Sequence, residues 1–204
     1  MKQFLYSSRR IPARRILEIG FSLAFLLTVL FTAAAWRYES VCREICRDTL
    51  RLHILANSDT LEDQLLKLKV RDAVLDTVAD LTAGARTKEQ AVDAVQAALP
   101  ELKALAQEVV QGRQTVEVRL EQSEFDAKDY GAFRLPAGEY TALRIELGSA
   151  GGHNWFCVLY PALCVGSSEA RYTKVEENAL VFGEYQVRFA LLDTARELAR
   201  NLTD

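Results

Sequence analysis

The stretch "GGHNWFCVLYPALC", Gly151 to Cys164, gathers a histidine, a tryptophan and two cysteines in one short run. A thiol beside an imidazole is the chemistry of a nucleophile and its base. The same side chains can hold a metal, and in an oxidising compartment the two cysteines make a staple. His153 stands four residues before Cys157. That order matches no local signature of a cysteine hydrolase. There is no G-x-S-x-G elbow for a serine nucleophile. The intervals between Cys42 and Cys46, and between Cys157 and Cys164, are not those of paired zinc knuckles. "GSAGGHNW" is glycine-rich but lies between two strand patterns, where glycine serves a turn rather than a phosphate. No catalytic residue, metal or cofactor is expected.

Which chemistry a cysteine performs depends on its compartment. Lys2, Arg9, Arg10, Arg14 and Arg15 precede "IGFSLAFLLTVLFTAAAW", Ile19 to Trp36, which carries no charge. A basic run before such a segment keeps the N-terminus in the cytoplasm and sends the downstream chain outward. The segment's length lies between that of a signal-peptide core and a membrane span. The small residues ending at Ala35 suit a signal peptidase. Residues 1–36 are therefore read as a signal peptide or membrane anchor, and 37–204 as an extracytoplasmic domain. Without residues 1–35 the chain keeps 20 basic and 27 acidic residues, a net charge of −7. That balance argues against nucleic acid as a partner. All four cysteines, Cys42, Cys46, Cys157 and Cys164, lie beyond the export segment, which makes disulfides their first expectation. Local pairings are attractive, since Cys42 and Cys46 share a helix face and Cys157 and Cys164 bracket a proline turn. Sequence alone leaves three pairings open.

The elements that would position these residues emerge from periodicity. After a polar approach over residues 37–48, "TLRLHIL" alternates, with Leu50, Leu52 and Ile54 on one face and Arg51 and His53 on the other. His53 is expected on the polar face, as a surface or hydrogen-bond-satisfied residue. Asp59 with Glu62 predicts a capping box opening a helix whose stripe is Leu66, Val70, Ala73, Thr77 and Leu81, with Lys67, Arg71 and Asp72 turned from part of it. Thr87 with Gln90 opens a second helix, and Pro100 either ends it or opens a third that stops at Gly112. "TVEVRLE", "EYTALRIEL", "NWFCVLY" and "EYQVRFA" read as strands, and "LLDTARELARNL" as a closing helix. The pattern predicts an α+β single domain: a mostly antiparallel sheet with helices packed on it, preceded by a hydrophobic export helix.

The junction "ANSDTLEDQLLKLKVRD" holds more polar side chains than a cap requires, which reads either as a binding surface or as a solvated helix face with i,i+4 pairs such as Asp63 with Lys67. Partner-binding candidates are Arg51, Asn57, Ser58, Asp59, Asp63, Gln64, Lys67, Arg71 and Asp72, joined by Asn154 and Trp155 from the glycine-turn strand. Trp155 and Phe156 must face opposite sides of their strand.

"LRLHILANSDTLEDQLLKLKVRDAVL" resembles the opening block of the stage II sporulation protein R family, R-x-x-I-x-A-N-S-D-S-x-x-D-Q-x-x-K-x-x-V-R-D. "YGAFRLPAGEYTALRIELGSAGGHNWFCVLYPALC" resembles its second block. Phe156 stands where that family usually has a second tryptophan, Tyr160 replaces phenylalanine and Ala162 a second proline. Cys42 and Cys46 lie outside the pattern. The resemblance implies a protein made in the forespore and exported into the space between two cells. There it would activate a membrane-embedded aspartic protease of the mother cell, which processes pro-sigma-E. It implies a signal rather than an enzyme, a scaffold staple for Cys157 and Cys164, and a partner surface that includes the "ANSD…DQ" junction. A secreted cysteine- or metal-dependent hydrolase is the alternative, and an anchored envelope scaffold is another.

Overall fold

The computed structural model describes residues 12–131, 133–162 and Val181. Contacts divide the chain into two compact units, residues 1–40 and 41–204. Cys164 and the segments "EYQVRFA" and "LLDTARELARNL" lie outside the described residues.

Helix α1, Ala13–Arg47, contains the uncharged segment. It is long and apolar enough to cross a membrane, a test that a signal sequence also passes, and its most apolar window is not buried against protein. Phe21, Phe25, Phe31 and Trp36 are each more than 70 % exposed, which suits lipid rather than water. The polar approach expected over 37–48 is thus the last turns of this helix, through Arg47. Within the second unit its residues Ile45 and Cys46 are buried.

The second unit is α+β. Strand β1, Leu50–Leu55, is followed by helices α2, Leu61–Thr82, α3, Lys88–Ala97, and α4, Leu99–Val110. Strands β2, Val116–Phe125, β3, Lys128–Asp129, β4, Arg134–Leu135, β5, Gly138–Leu147, and β6, Asn154–Tyr160, complete the described elements. The main sheet runs β2-β5-β1-β6, and β3 pairs with β4 separately. Two of the three main pairings are antiparallel; β1 with β5 is parallel. So β5 and β6 do not form a hairpin across their glycine turn. Strand β1 lies between them.

Alternation fixes what each face of the sheet meets. Leu52, Ile54, Leu143, Ile145, Val116 and Cys157 join the buried residues of α2, α3 and α4 in the main core. Arg51 and His53 fall on the opposite face, with Phe125, Tyr140 and Phe156. Trp155 packs against the helix-side core and Phe156 against Phe125, Tyr140 and Ala142, one ring on each face as expected.

Helix α2 buries Leu66, Val70, Val74, Val78 and Thr82, a strict i,i+4 row. The expected stripe is right at Leu66 and Val70 and then slips, because Ala73 and Thr77 are only half-buried. Each aliphatic member of the row contributes about 1.5–3 kcal/mol by leaving water. Lys67 also turns inward, and is 4 % exposed. The helix begins one residue later than the capping box implied. Thr60 is the N-cap, accepting a hydrogen bond from the Asp63 amide at 3.3 Å. Thr60→Ala is expected to lower stability by about 1 kcal/mol, read as a shift in the urea midpoint at constant slope; Asp59→Ala should leave this cap intact. Thr87 caps α3 through the Gln90 amide as expected. Pro100 opens α4, which ends as Gln111 turns left-handed at φ 53° before Gly112.

Candidate partner-binding surface

Ten of the eleven candidate residues separate into two groups, and Arg51 stands apart from both. Asn57, Ser58, Asp59, Asp63, Gln64 and Lys67 tie the β1–α2 junction to the turn between β5 and β6. Asn57 Nδ2 donates to Asp63 Oδ2 at 2.8 Å, while Asn57 Oδ1 accepts from the Ser149 amide at 2.9 Å. Its carbonyl accepts from Ser149 Oγ at 2.8 Å and from the Gly151 amide at 3.2 Å. Ser58 Oγ donates to Asp63 Oδ2 at 2.5 Å, and Gln114 Nε2 donates to Asp63 Oδ1. Gln64 Nε2 donates to the Ser58 carbonyl at 2.9 Å. Lys67 Nζ bridges Gln64 Oε1 at 2.6 Å and the His153 carbonyl at 2.8 Å.

These bonds bear on charge. Hydrogen bonds from Ser58, then Asn57, hold Asp63 below the usual carboxylate range. Asp59 is lowered by its bonds from His153, first from the ring and then from the backbone amide. Burial pulls Lys67 down from its ordinary value. His153 Nδ1 lies 2.5 Å from Asp59 Oδ1, but among the described residues no hydroxyl or thiol is hydrogen-bonded to this imidazole. A nucleophile–base–orienter set needs that third member. The His153–Asp59 pair instead clamps the turn to the junction.

The second group is Arg71, Asp72, Asn154 and Trp155. They line a groove of about 690 Å³ with Lys128, Tyr130, Phe133 and Phe156. It sits beside β6, between α2 and the β3–β4 pair. The Arg71 guanidinium lies 4.5 Å from the centroid of the Trp155 ring, and its Nε donates to Asp72 Oδ1 at 2.7 Å. Tyr130 and Phe133 stack with ring centroids 4.7 Å apart.

Arg51 stands behind that aromatic wall. It is 1 % exposed, and its Cζ lies 4.0 Å from the Phe125 ring centroid and 4.8 Å from that of Tyr140. Its Nη2 donates to the Tyr130 hydroxyl at 2.8 Å. Nε and Nη1 are buried and make no hydrogen bond among the described residues. Among the described residues no carboxylate pairs with this cation. Aromatic faces attract a desolvated guanidinium, which offsets part of the cost of burying it.

His53 corrects its expectation. It is not on the surface: it is 8 % exposed, 4.6 Å from the Phe156 centroid and 5.8 Å from that of Phe125. Neither ring nitrogen makes a hydrogen bond of good geometry. Burial, then the charge of Arg144, pushes its pKa down to about 4, although Asn154 nearby favours the imidazolium slightly.

The cysteines divide as well. Cys157 is disulfide-bonded. Cys42 and Cys46 are buried thiols, so the local pairing expected for them is not made. Side chains four apart on a helix have Cβ atoms about 5–6 Å apart, whereas a disulfide needs about 4 Å. Among the described residues no group of three or more His, Cys, Asp or Glu side chains is placed to hold a metal ion.

Sequence reasoning missed Lys128, Tyr130 and Phe133 in the groove. The aromatic pair of "DYGAF" was the available signal, but nothing local shows that it turns toward Trp155.

A family model described as Stage II sporulation protein R matches residues 46–170. The stage II sporulation protein R of Bacillus subtilis (strain 168) is 42 % identical over 118 residues. The alignment covers 56 % of this chain and 53 % of that protein, so the chain spans about half the length of the curated relative it matches. No solved structure matches. The matched span runs from the end of α1 through β6 and takes in the locked junction, the groove and the disulfide-bonded Cys157, and the chain belongs to the stage II sporulation protein R family.

Proposed function

We propose that this protein is an exported intercellular signal of endospore formation. It is made in the forespore and crosses that cell's membrane by its apolar N-terminal helix. In the intermembrane space it activates a membrane-embedded aspartic protease of the mother cell, which then processes pro-sigma-E. The observation that carries this reading is the family match over residues 46–170. The apolar helix ahead of the matched unit supports export or anchoring. The disulfide at Cys157 supports an oxidising destination. It also removes the thiol that a cysteine hydrolase would need there, since only a thiolate attacks.

The test is replacement of the resident gene in sporulating Bacillus subtilis by one encoding this chain. Sigma-E processing is followed by immunoblot, and the intact mass of the exported protein is measured with and without reduction. Restored processing together with protein outside the forespore membrane is the expected result. Full export without any processing would overturn the signalling role. Protein retained in the forespore cytoplasm would overturn the export.

A further inference from the structure

We propose that the groove between α2 and the β3–β4 pair binds an extended, acidic segment of a partner protein, with a carboxylate held by Arg71 and Lys128 and apolar neighbours against Trp155 and Tyr130. The inference deepens the signalling reading and rests on it for the identity of the partner.

The groove is rich in donors and poor in acceptors. Arg71 and Lys128 line it as cations, and Asn154 adds an amide. Among the described residues the buried Trp155 Nε1 has no hydrogen-bond partner. Among the described residues Lys128 is in no ion pair. The one carboxylate of the lining, Asp72, is already occupied by Arg71. A guanidinium has five N–H donors in a rigid fork. Stacking on Trp155 and the bonds from Nε and Nη2 to Asp72 fix that fork and leave Nη1 for a ligand. Behind the wall, Arg51, with which no carboxylate pairs among the described residues, reaches the groove through the Tyr130 hydroxyl.

This positive groove belongs to a chain whose net charge is −3, and −7 beyond residue 35. A cationic segment would face the like charges of Arg71 and Lys128, and a neutral one would leave both without a counter-charge beyond Asp72. An acidic one satisfies them, and charge-assisted bonds to guanidinium and ammonium are the strong ones. Trp and Arg side by side are also the side chains that most often dominate binding energy at protein interfaces.

The first test needs no knowledge of the partner. Trp36→Phe in the full chain, held in detergent micelles, leaves Trp155 as the only fluorescent tryptophan. The probes are a blocked pentapeptide of alternating leucine and glutamate, its glutamine twin, and inorganic phosphate. Saturable change in Trp155 emission by the glutamate peptide is expected, with the glutamine twin at least about tenfold weaker. Arg71→Glu with Lys128→Glu should abolish it. Equal binding of both peptides, equal binding of phosphate, saturation that survives the double charge reversal, or no saturation by either peptide up to about 10 mM would overturn the proposal.

In sporulating cells the same double reversal should cut sigma-E processing by about tenfold or more. Arg86→Glu, an exposed cation outside the groove, should not. Exported protein level and resistance to trypsin report that the variants fold. If the wild-type chain itself supports no processing, the signalling reading fails. If the wild type and the folded double reversal process equally, the groove fails and the signalling reading stands.

Discussion

Gly152→Ala should lose about 3 kcal/mol of stability or more, a large share of the 5–15 kcal/mol that holds a domain folded. A Cβ on Gly152 would fall 2.5 Å from the Ser58 carbonyl carbon, and closer still to its oxygen. The obstacle is backbone, so no side chain can swing aside. The Gly152 amide donates to the Ala56 carbonyl at 2.9 Å, which anchors the turn against the very segment it would have to leave. Gly151→Ala is the control. Its Cβ would meet the Asn57 carbonyl oxygen at 3.4 Å, an ordinary contact, and should cost under about 1 kcal/mol. Denaturant unfolding of both variants decides the matter. Equal midpoints would show that the turn does not press on the junction as the structure has it.

The second large effect is pH-dependent. The imidazole of His53 has a folded pKa of about 4 against an ordinary 6.5. Folding therefore disfavours the protonated ring. Above pH 6.5 the group is neutral in both states and stability is unaffected. As pH falls below 6.5 the unfolded chain takes up a proton that the folded chain refuses, and stability declines until the folded ring titrates near 4. That gap corresponds to on the order of 3 kcal/mol. His53→Phe keeps an aromatic ring between Phe125 and Phe156 and removes the titration. The variant should show a flattened stability profile between about pH 7 and about pH 5, above the range where carboxylates protonate. An unchanged slope in the variant would assign the pH dependence elsewhere.

His53 also shows where reading the chain reaches its limit. It alternates correctly with Leu52 and Ile54, so its face of the strand was legible. The burial of that face was not, because Phe125 and Phe156 arrive from distant strands. In the same way β1 was legible as a strand, but its parallel pairing with β5 was not. Consecutive strands with a glycine turn between them read as a hairpin, and only the packed sheet shows that β1 has been inserted there. Elements with local punctuation fared better. Thr87, Pro100 and Gly112 mark α3 and α4 by chemistry confined to a turn. The burial of Lys67 was not legible, because Gln64 and the His153 carbonyl draw it inward, and that carbonyl is remote in sequence. The polar cluster at the junction was visible as an excess. Its division into a clamp and a groove was not, since it depends on which residues the β5–β6 turn reaches.

The insertion of β1 between β5 and β6 has a consequence for delivery. Leu50 must wait for Thr141 and Tyr160 before either of its edges is covered. In a chain whose N-terminus stays inside while the segment beyond the apolar helix is threaded outward in sequence order, as in the proposed export, this strand emerges early and its partners β5 and β6 much later. Until then the row Leu50, Leu52 and Ile54 is an unpaired apolar template, the kind of edge that aggregates. On the proposed export route, delivery would thus be a race between translocation and self-association. The exported yield should then depend on how quickly β5 and β6 come out after β1, and on whatever shields the waiting edge.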